Sequence, residues 1–164
     1  MQEHEVELWT TKLFNQYLAS PLDSLLTKIG QPAPDPAHPW QNWITMEILV
    51  VLIIMVLFAI LRSRLSYDKP GKLQITFEAI YDFVNGQASE GIGHGSSKFV
   101  PFLGTLFIFI LFMNLIGVIP GFESPTMTTA VPAGLAISVF LYYNVMGFRS
   151  HGVGRYLLHF AGPV

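Results

Sequence analysis

The chain has 164 residues, of which 51% are hydrophobic and only 12% charged, where an average soluble domain carries about 25% charged residues. Its mean hydropathy is +0.47, and a soluble fold of this length cannot solvate its surface with so few charges, so that class is excluded. The net charge of −2 leaves no basic footprint for nucleic acid, and the absence of cysteine excludes disulfide frameworks, zinc–thiolate sites and thiol catalysis.

The first 39 residues predict two short helices on an outer surface, followed by a linker. Val6, Trp9, Leu13 and Tyr17 recur at helical spacing. Ser20-Pro21 then reads as a second helix start, with Ser20 as N-cap and Pro21 in the first helical position. Leu22, Leu25, Leu26 and Ile29 follow, and Gly30 closes the run. Such helices lie on a membrane surface or on a partner. Gln31 to Pro39 holds four prolines and is a stiff linker.

Residues 40–164 form the expected membrane domain. A spanning helix needs about 20 apolar residues. Three stretches qualify: 43–61, whose one charge is Glu47; 99–119, uncharged; and 125–148, also uncharged. Three in so short a chain leave no water-facing shell to bury them. The fold class is therefore an all-α integral membrane protein, with three transmembrane helices plus amphipathic interfacial helices. Between the first two spans, 70–86 reads as an amphipathic helix. Asp68 is its candidate cap, Leu73, Phe77, Ile80, Tyr81 and Val84 make one stripe, and Gly86 is expected to break it. The Gly91-to-Lys98 run imitates a phosphate loop but lacks the Gly-Lys-Ser/Thr ending and a preceding strand, so it reads as a turn.

Basic residues set the orientation. Arg62, Arg64, Lys69, Lys72 and Lys98 lie between spans one and two, and Arg149 and Arg155 follow span three. The loop between spans two and three holds one charge, Glu123. The 62–98 loop and the end of the chain should face the cytoplasm, and the N-terminus and Glu123 the outside. Trp40 and Trp43 then fall in the outer interfacial belt, Tyr142 and Tyr143 in the inner one. The acidic start, MQEHEVELW, does not read as a secretory signal peptide.

No histidine falls inside a span, which disfavours haem ligation, and no metal-ligand pattern occurs. Proton relays normally place Asp, Glu, His or Lys in the bundle; within the spans only Glu47 qualifies, near the outer surface. Asn114, toward the outer end of span two, must satisfy its amide, either by an interhelical hydrogen bond or as lining of a water-filled cavity. Thr126, Thr128 and Thr129 open span three at the same level, where threonines are commonly back-bonded to their own helix. Asn114 and these threonines should be close across the hairpin, which adds weight to the cavity while leaving both readings open. Glu123 reads as a solvated loop charge and Glu47 as either snorkelling or facing a wet pocket; both are possible outer-side polar sites. Gly134-x-x-x-Ser138 fits close helix packing.

These motifs carry a resemblance. Pro70-Gly-Lys-Leu-Gln with the helix after it, Phe83-Val-Asn-Gly86, Pro101-Phe-Leu-Gly-Thr105, Phe112-Met-Asn-Leu-Ile-Gly-Val-Ile-Pro120 and Pro125-Thr126 resemble, in order over about residues 40–162, the a subunits of bacterial F-type ATP synthases. The resemblance implies a stator subunit, no enzyme by itself, in the bacterial plasma membrane. It implies a ring of c subunits and the b subunits of a peripheral stalk as partners, besides membrane lipid, and no cofactor. Asn114, Thr126 and Thr128 would line the outer of two proton half-channels, with Lys72 and the 70–86 helix toward the inner side. The family's essential arginine lies on a later helix; neither Arg149 nor Arg155 matches it, and Val164 falls where the family begins that hairpin. Met127 and Thr128 stand where many members have a small residue and then Asp. The rival readings are a structural scaffold subunit of another membrane complex and half of a secondary transporter, the latter disfavoured by the lack of internal repeats.

Overall fold

A computed structural model describes residues 7–30, 33, 35–152, 154 and 156. Val6, Gln31, Pro32, Pro34 and Arg155 of the sequence readings lie outside them. The described residues are helical without strands: α1 (Trp9–Lys28), α2 (Asn42–Ser63), α3 (Lys72–Ile92), α4 (Val100–Ile116) and α5 (Ala130–His151), with short 3-10 turns at Ser96–Lys98 and Pro125–Met127. The chain divides into two units, Met1–Pro125 with α1 to α4, and Thr126–Val164 with α5.

In the first unit α1 is one helix, not the expected two. It runs through Pro21. The reason is a single packed stripe, Thr11, Asn15, Ala19, Leu22 and Leu26, that keeps its helical phase on both sides of the proline. Proline removes one rung of the hydrogen-bond ladder, and Pro21 itself is exposed. Leu13 and Tyr17 are exposed, and Trp9, also largely exposed, turns its ring edge-on to Phe122.

α2 coincides closely with the first expected span. Met46 and Val50 are buried, and the packed stripe continues through Ile54, Leu57 and Leu61. Asn42 and Thr45 in the first turns are also buried, whereas much of the second half of the helix is exposed, including Val51, Leu52, Met55 and Val56. In the most apolar stretch of α2 only 17% is buried, and in α5 only 6%; a core helix of a soluble protein would be mostly buried. Both helices are long and apolar enough to cross a membrane.

α3 corrects a second expectation, because it passes through Gly86 and ends at Gly93, whose φ is +77°. A helical glycine costs only about 1 kcal/mol. Val84 and Ala88, one turn apart across Gly86, are buried against Val100 of α4, with Ile80 and Leu103 beside them. The predicted inward stripe otherwise holds, except that Tyr81 is exposed. The helix starts at Lys72 behind Gly71, with no side-chain cap, so Asp68 does not cap it. Gly93 and Gly95 both take positive φ, and the Gly91-to-Lys98 run is the helix end, a turn and a 3-10 turn.

α4 is shorter than its span reading. Its 17 residues cover about 25 Å. The chain then tightens, with Val118 N–H donating to Leu115 O and Ile119 N–H to Ile116 O. It turns back at Gly121, where φ is +87°. Ser124 Oγ donates to Met113 O at 2.8 Å. A Cβ at Gly117 would lie 2.8 Å from Ser124 Cβ, so the close return requires glycine there.

The second unit begins its helix at Ala130, later than the expected 125. Val131 N–H donates to Thr128 O and Ala133 N–H to Thr129 O, so the threonines lead into α5 and do not form its first turn. Beyond Gly152 (φ +75°), Tyr156 lies over Gly147, its ring edge-on to Phe148 with centroids 4.9 Å apart.

Candidate functional site

Polar side chains gather where α1 meets the start of α2. The Thr45 hydroxyl donates to Asn42 O at 2.9 Å. A hydroxyl has one proton, so the 2.7 Å contact between the buried Thr11 and Thr45 hydroxyls is donated by Thr11. Asn15 grips the Trp40 backbone in both directions: Trp40 N–H donates to Asn15 Oδ1 at 2.9 Å, and Asn15 Nδ2 donates to Trp40 O at 3.2 Å. The same amide donates to the Glu7 carboxylate. Trp40 Nε1 donates to Leu18 O at 3.0 Å, and its ring meets Phe14 edge-on.

Asn42 extends this network across the chain. Its Oδ1 accepts from Leu8 N–H at 3.1 Å, and its Nδ2 donates to Glu123 Oε2 at 3.2 Å. Next to it opens a cavity of about 440 Å³, lined by Glu7, Thr11, Asp35, His38 and Trp40 among others. Asp35 accepts from Ala37 N–H at 2.9 Å and lies 3.1 Å from His38 Nδ1. These contacts, the Ala37 N–H foremost, hold its carboxyl below the usual range.

The residues singled out from sequence divide as follows. Glu123 is exposed in the loop, as a solvated charge would be, and its carboxylate also accepts from Asn42. Glu47 is half-buried on α2 beside Met46. Asn114 is on the exposed face of α4, and its Nδ2 donates to Ile110 O at 2.7 Å. That bond stays within its own helix. Asn144 to Phe140 O, Ser138 to Gly134 O and Thr105 to Pro101 O follow the same pattern. Thr126 and Thr128 are half-buried and belong to the second unit. Arg149 is exposed in the last turn of α5.

Sequence reasoning missed Thr11, Asn15, Asn42 and Thr45. A signal was present: Thr11 and Asn15 are one turn apart, as are Asn42 and Thr45, each pair on a helix otherwise read for its apolar residues.

The family described as ATP synthase A chain matches residues 44–164. The ATP synthase subunit a of Solibacter usitatus is 58% identical over 152 residues, covering 93% of this chain and 64% of that protein. The subunit a of Koribacter versatilis is 46% identical over 158 residues, covering 96% of this chain and 64% of its own. That of Sulfurovum sp. is 38% identical over 144 residues, 87% of this chain and 59% of its own. The chain thus spans less than two thirds of the length of these relatives. No solved structure matches it. A match across most of the chain, on helices whose apolar faces lie outward, places this protein in the ATP synthase A chain family.

Proposed function

We propose that this chain is a stator component of the membrane sector of a bacterial rotary ATP synthase, helping to form the proton half-channels beside a ring of c subunits. The family match over residues 44–164 carries this reading. The b subunits of the peripheral stalk are its second partner, and the chain itself makes and breaks no bond. A carboxylate carried through lipid by a turning ring must be neutral there and ionise where water reaches it. A stator therefore offers polar, water-holding surface at limited depth. Asn114 on α4, and Thr126 and Thr128 ahead of α5, supply uncharged polar surface of that kind, with Glu47 and Glu123 nearer the outside.

The protein crosses the plasma membrane three times in this reading, with its N-terminus outside. α2 and α5 are two of the spans. α4 is the third: its roughly 25 Å falls about one turn short of the roughly 30 Å of a bilayer core, a mismatch that local thinning of the bilayer accommodates. Cysteines placed at Ser89 and Ser150 should then label from the cytoplasmic side and one at Ser124 from outside. Labelling of Ser89 and Ser124 from one side would remove the α4 span.

The functional test is Asn114→Leu in the assembled complex. Lining a half-channel, it should slow proton-driven synthesis per assembled complex. A purely structural amide would instead cost roughly 0.6–2 kcal/mol of helix packing and lower the amount assembled with turnover unchanged, which defeats the channel assignment.

A further inference from the structure

Three consecutive residues at the outer corner after α4 are each held by a different helix. Phe122 meets Trp9 of α1 edge-on, with ring centroids 6.0 Å apart. Glu123 accepts from Asn42 of α2 at 3.2 Å. Ser124 donates to Met113 O of α4 at 2.8 Å. Asn42 is itself buried and anchored by Leu8 N–H at 3.1 Å. A solvated loop charge needs none of this. Asn42 offers nothing to catalysis beyond its amide, yet it spends that amide on a carboxylate 81 residues away.

We infer that Glu123 is the first protonatable group of the outer proton path and that Asn42, clamped by α1, is the positioning residue that fixes it there. The inference rests on the outer half-channel reading above. Glu123 takes a proton from outer water on its carboxylate oxygen and releases it to water held deeper in the path, so no proton is consumed. α1 then has a role in conduction without touching the path: it holds Asn42 and Phe122, and through them the corner. Among the described residues, the titratable groups Glu7, Asp35 and His38 line the adjacent cavity with Asn42, and Glu47 lies farther along α2.

The test uses the whole complex in vesicles, with synthesis driven by an imposed gradient and normalised to assembled complex while outer and inner pH are varied separately. Asn42→Ala should lower the rate roughly ten-fold, as loss of one hydrogen bond to a charged group does. Glu123→Gln should lower it at least as much, and the double variant no further. Both should change the dependence on outer pH and leave that on inner pH as it was. A slowed Asn42→Ala with an unaltered outer-pH profile would make Asn42 merely structural and overturn the inference. So would a wild-type rate and profile in Glu123→Gln, which sits in an exposed corner and decides the matter even if Asn42→Ala assembles poorly. If Asn114→Leu in the same preparation is slowed while Glu123→Gln is not, only this inference falls; if neither is slowed, the half-channel reading falls with it.

Discussion

The two ends of the α1–α4 unit are held together by different chemistry. Where α1 meets the start of α2, the contacts are paired hydrogen bonds: Thr11 to Thr45, Asn15 to Trp40, and Leu8 through Asn42 to Glu123. Where α3 packs on α4, the contacts are apolar: Val84 and Ala88 against Val100, and the tilted rings of Phe83 and Phe107. Phe58 of α2 and Phe77 of α3 add a T-shaped pair, 5.0 Å between centroids. Apolar contact is non-directional and tolerates exchange of similar shapes. A hydrogen-bond network fixes register, because each misplaced group is left with its desolvation cost unmet. The polar end is therefore the one built to place particular atoms, and Glu123 is among those it places.

The largest effect expected from this contrast is at the apolar end. Val84 is buried between α3 and α4, with no polar group in that cluster to receive a charge. Val84→Asp should cost several kcal/mol, about 4 or more, and collapse the yield of folded protein. Val84→Ile should stay within about 1.5 kcal/mol. Thermal unfolding of the purified complex reads both. A tolerated Val84→Asp would mean that water reaches this cluster and that the two ends are not chemically distinct.

The same contrast explains what could be read in advance. The α3 stripe was legible because periodicity within one segment determines an apolar face: Leu73, Phe77, Ile80 and Val84 turn inward as their spacing requires. The two helices long and apolar enough to cross a membrane, α2 and α5, were legible from composition. The hydrogen-bonded end was not, because its pairs are 25, 34 and 81 residues apart, and no local pattern encodes which amide meets which carboxylate. Pro21 and Gly86 misled for a related reason. Each is a local breaker, proline at about 3 kcal/mol and glycine at about 1, and each lies in a helix whose packed stripe continues in phase on both sides. The sequence carries the second span through Gly117 to 119, because the approach of Ser124 to Met113 O, which accompanies the earlier end of α4, is tertiary. Asn114 was placed correctly on α4, while its bond to Ile110 O shows that its amide is partly served by its own helix.

An intermediate effect separates two hydroxyls of the polar end. Thr45 gives its proton to Asn42 O and accepts from Thr11. Thr45→Val removes an acceptor and a donor together and leaves the buried Thr11 hydroxyl facing a methyl group, a loss of about 1–3 kcal/mol. Thr11→Val removes one donor and leaves Thr45 still bonded to Asn42 O, a loss nearer 1 kcal/mol. Equal losses in thermal unfolding would reverse or erase the donor order, and the network would no longer be directional.

The smallest effect has the opposite sign. Gly86 lies inside α3, and a Cβ built there meets nothing within 4 Å. Its φ is not in the left-handed region, so alanine fits the backbone that is already present. Glycine in a helix interior loses more conformational freedom on folding than alanine does. Gly86→Ala should therefore stabilise the protein by about 0.5–1 kcal/mol, with the buried contacts of Val84 and Ala88 unchanged. The gain follows only if the helix runs unbroken through residue 86; a helix that stopped there would gain nothing. A loss of stability would instead reveal a neighbour pressed against the Gly86 face in the assembled complex, one that needs the missing side chain in order to approach. That outcome would turn the apolar end from a tolerant packing surface into a shaped one, and would abolish the distinction drawn between it and the hydrogen-bonded end.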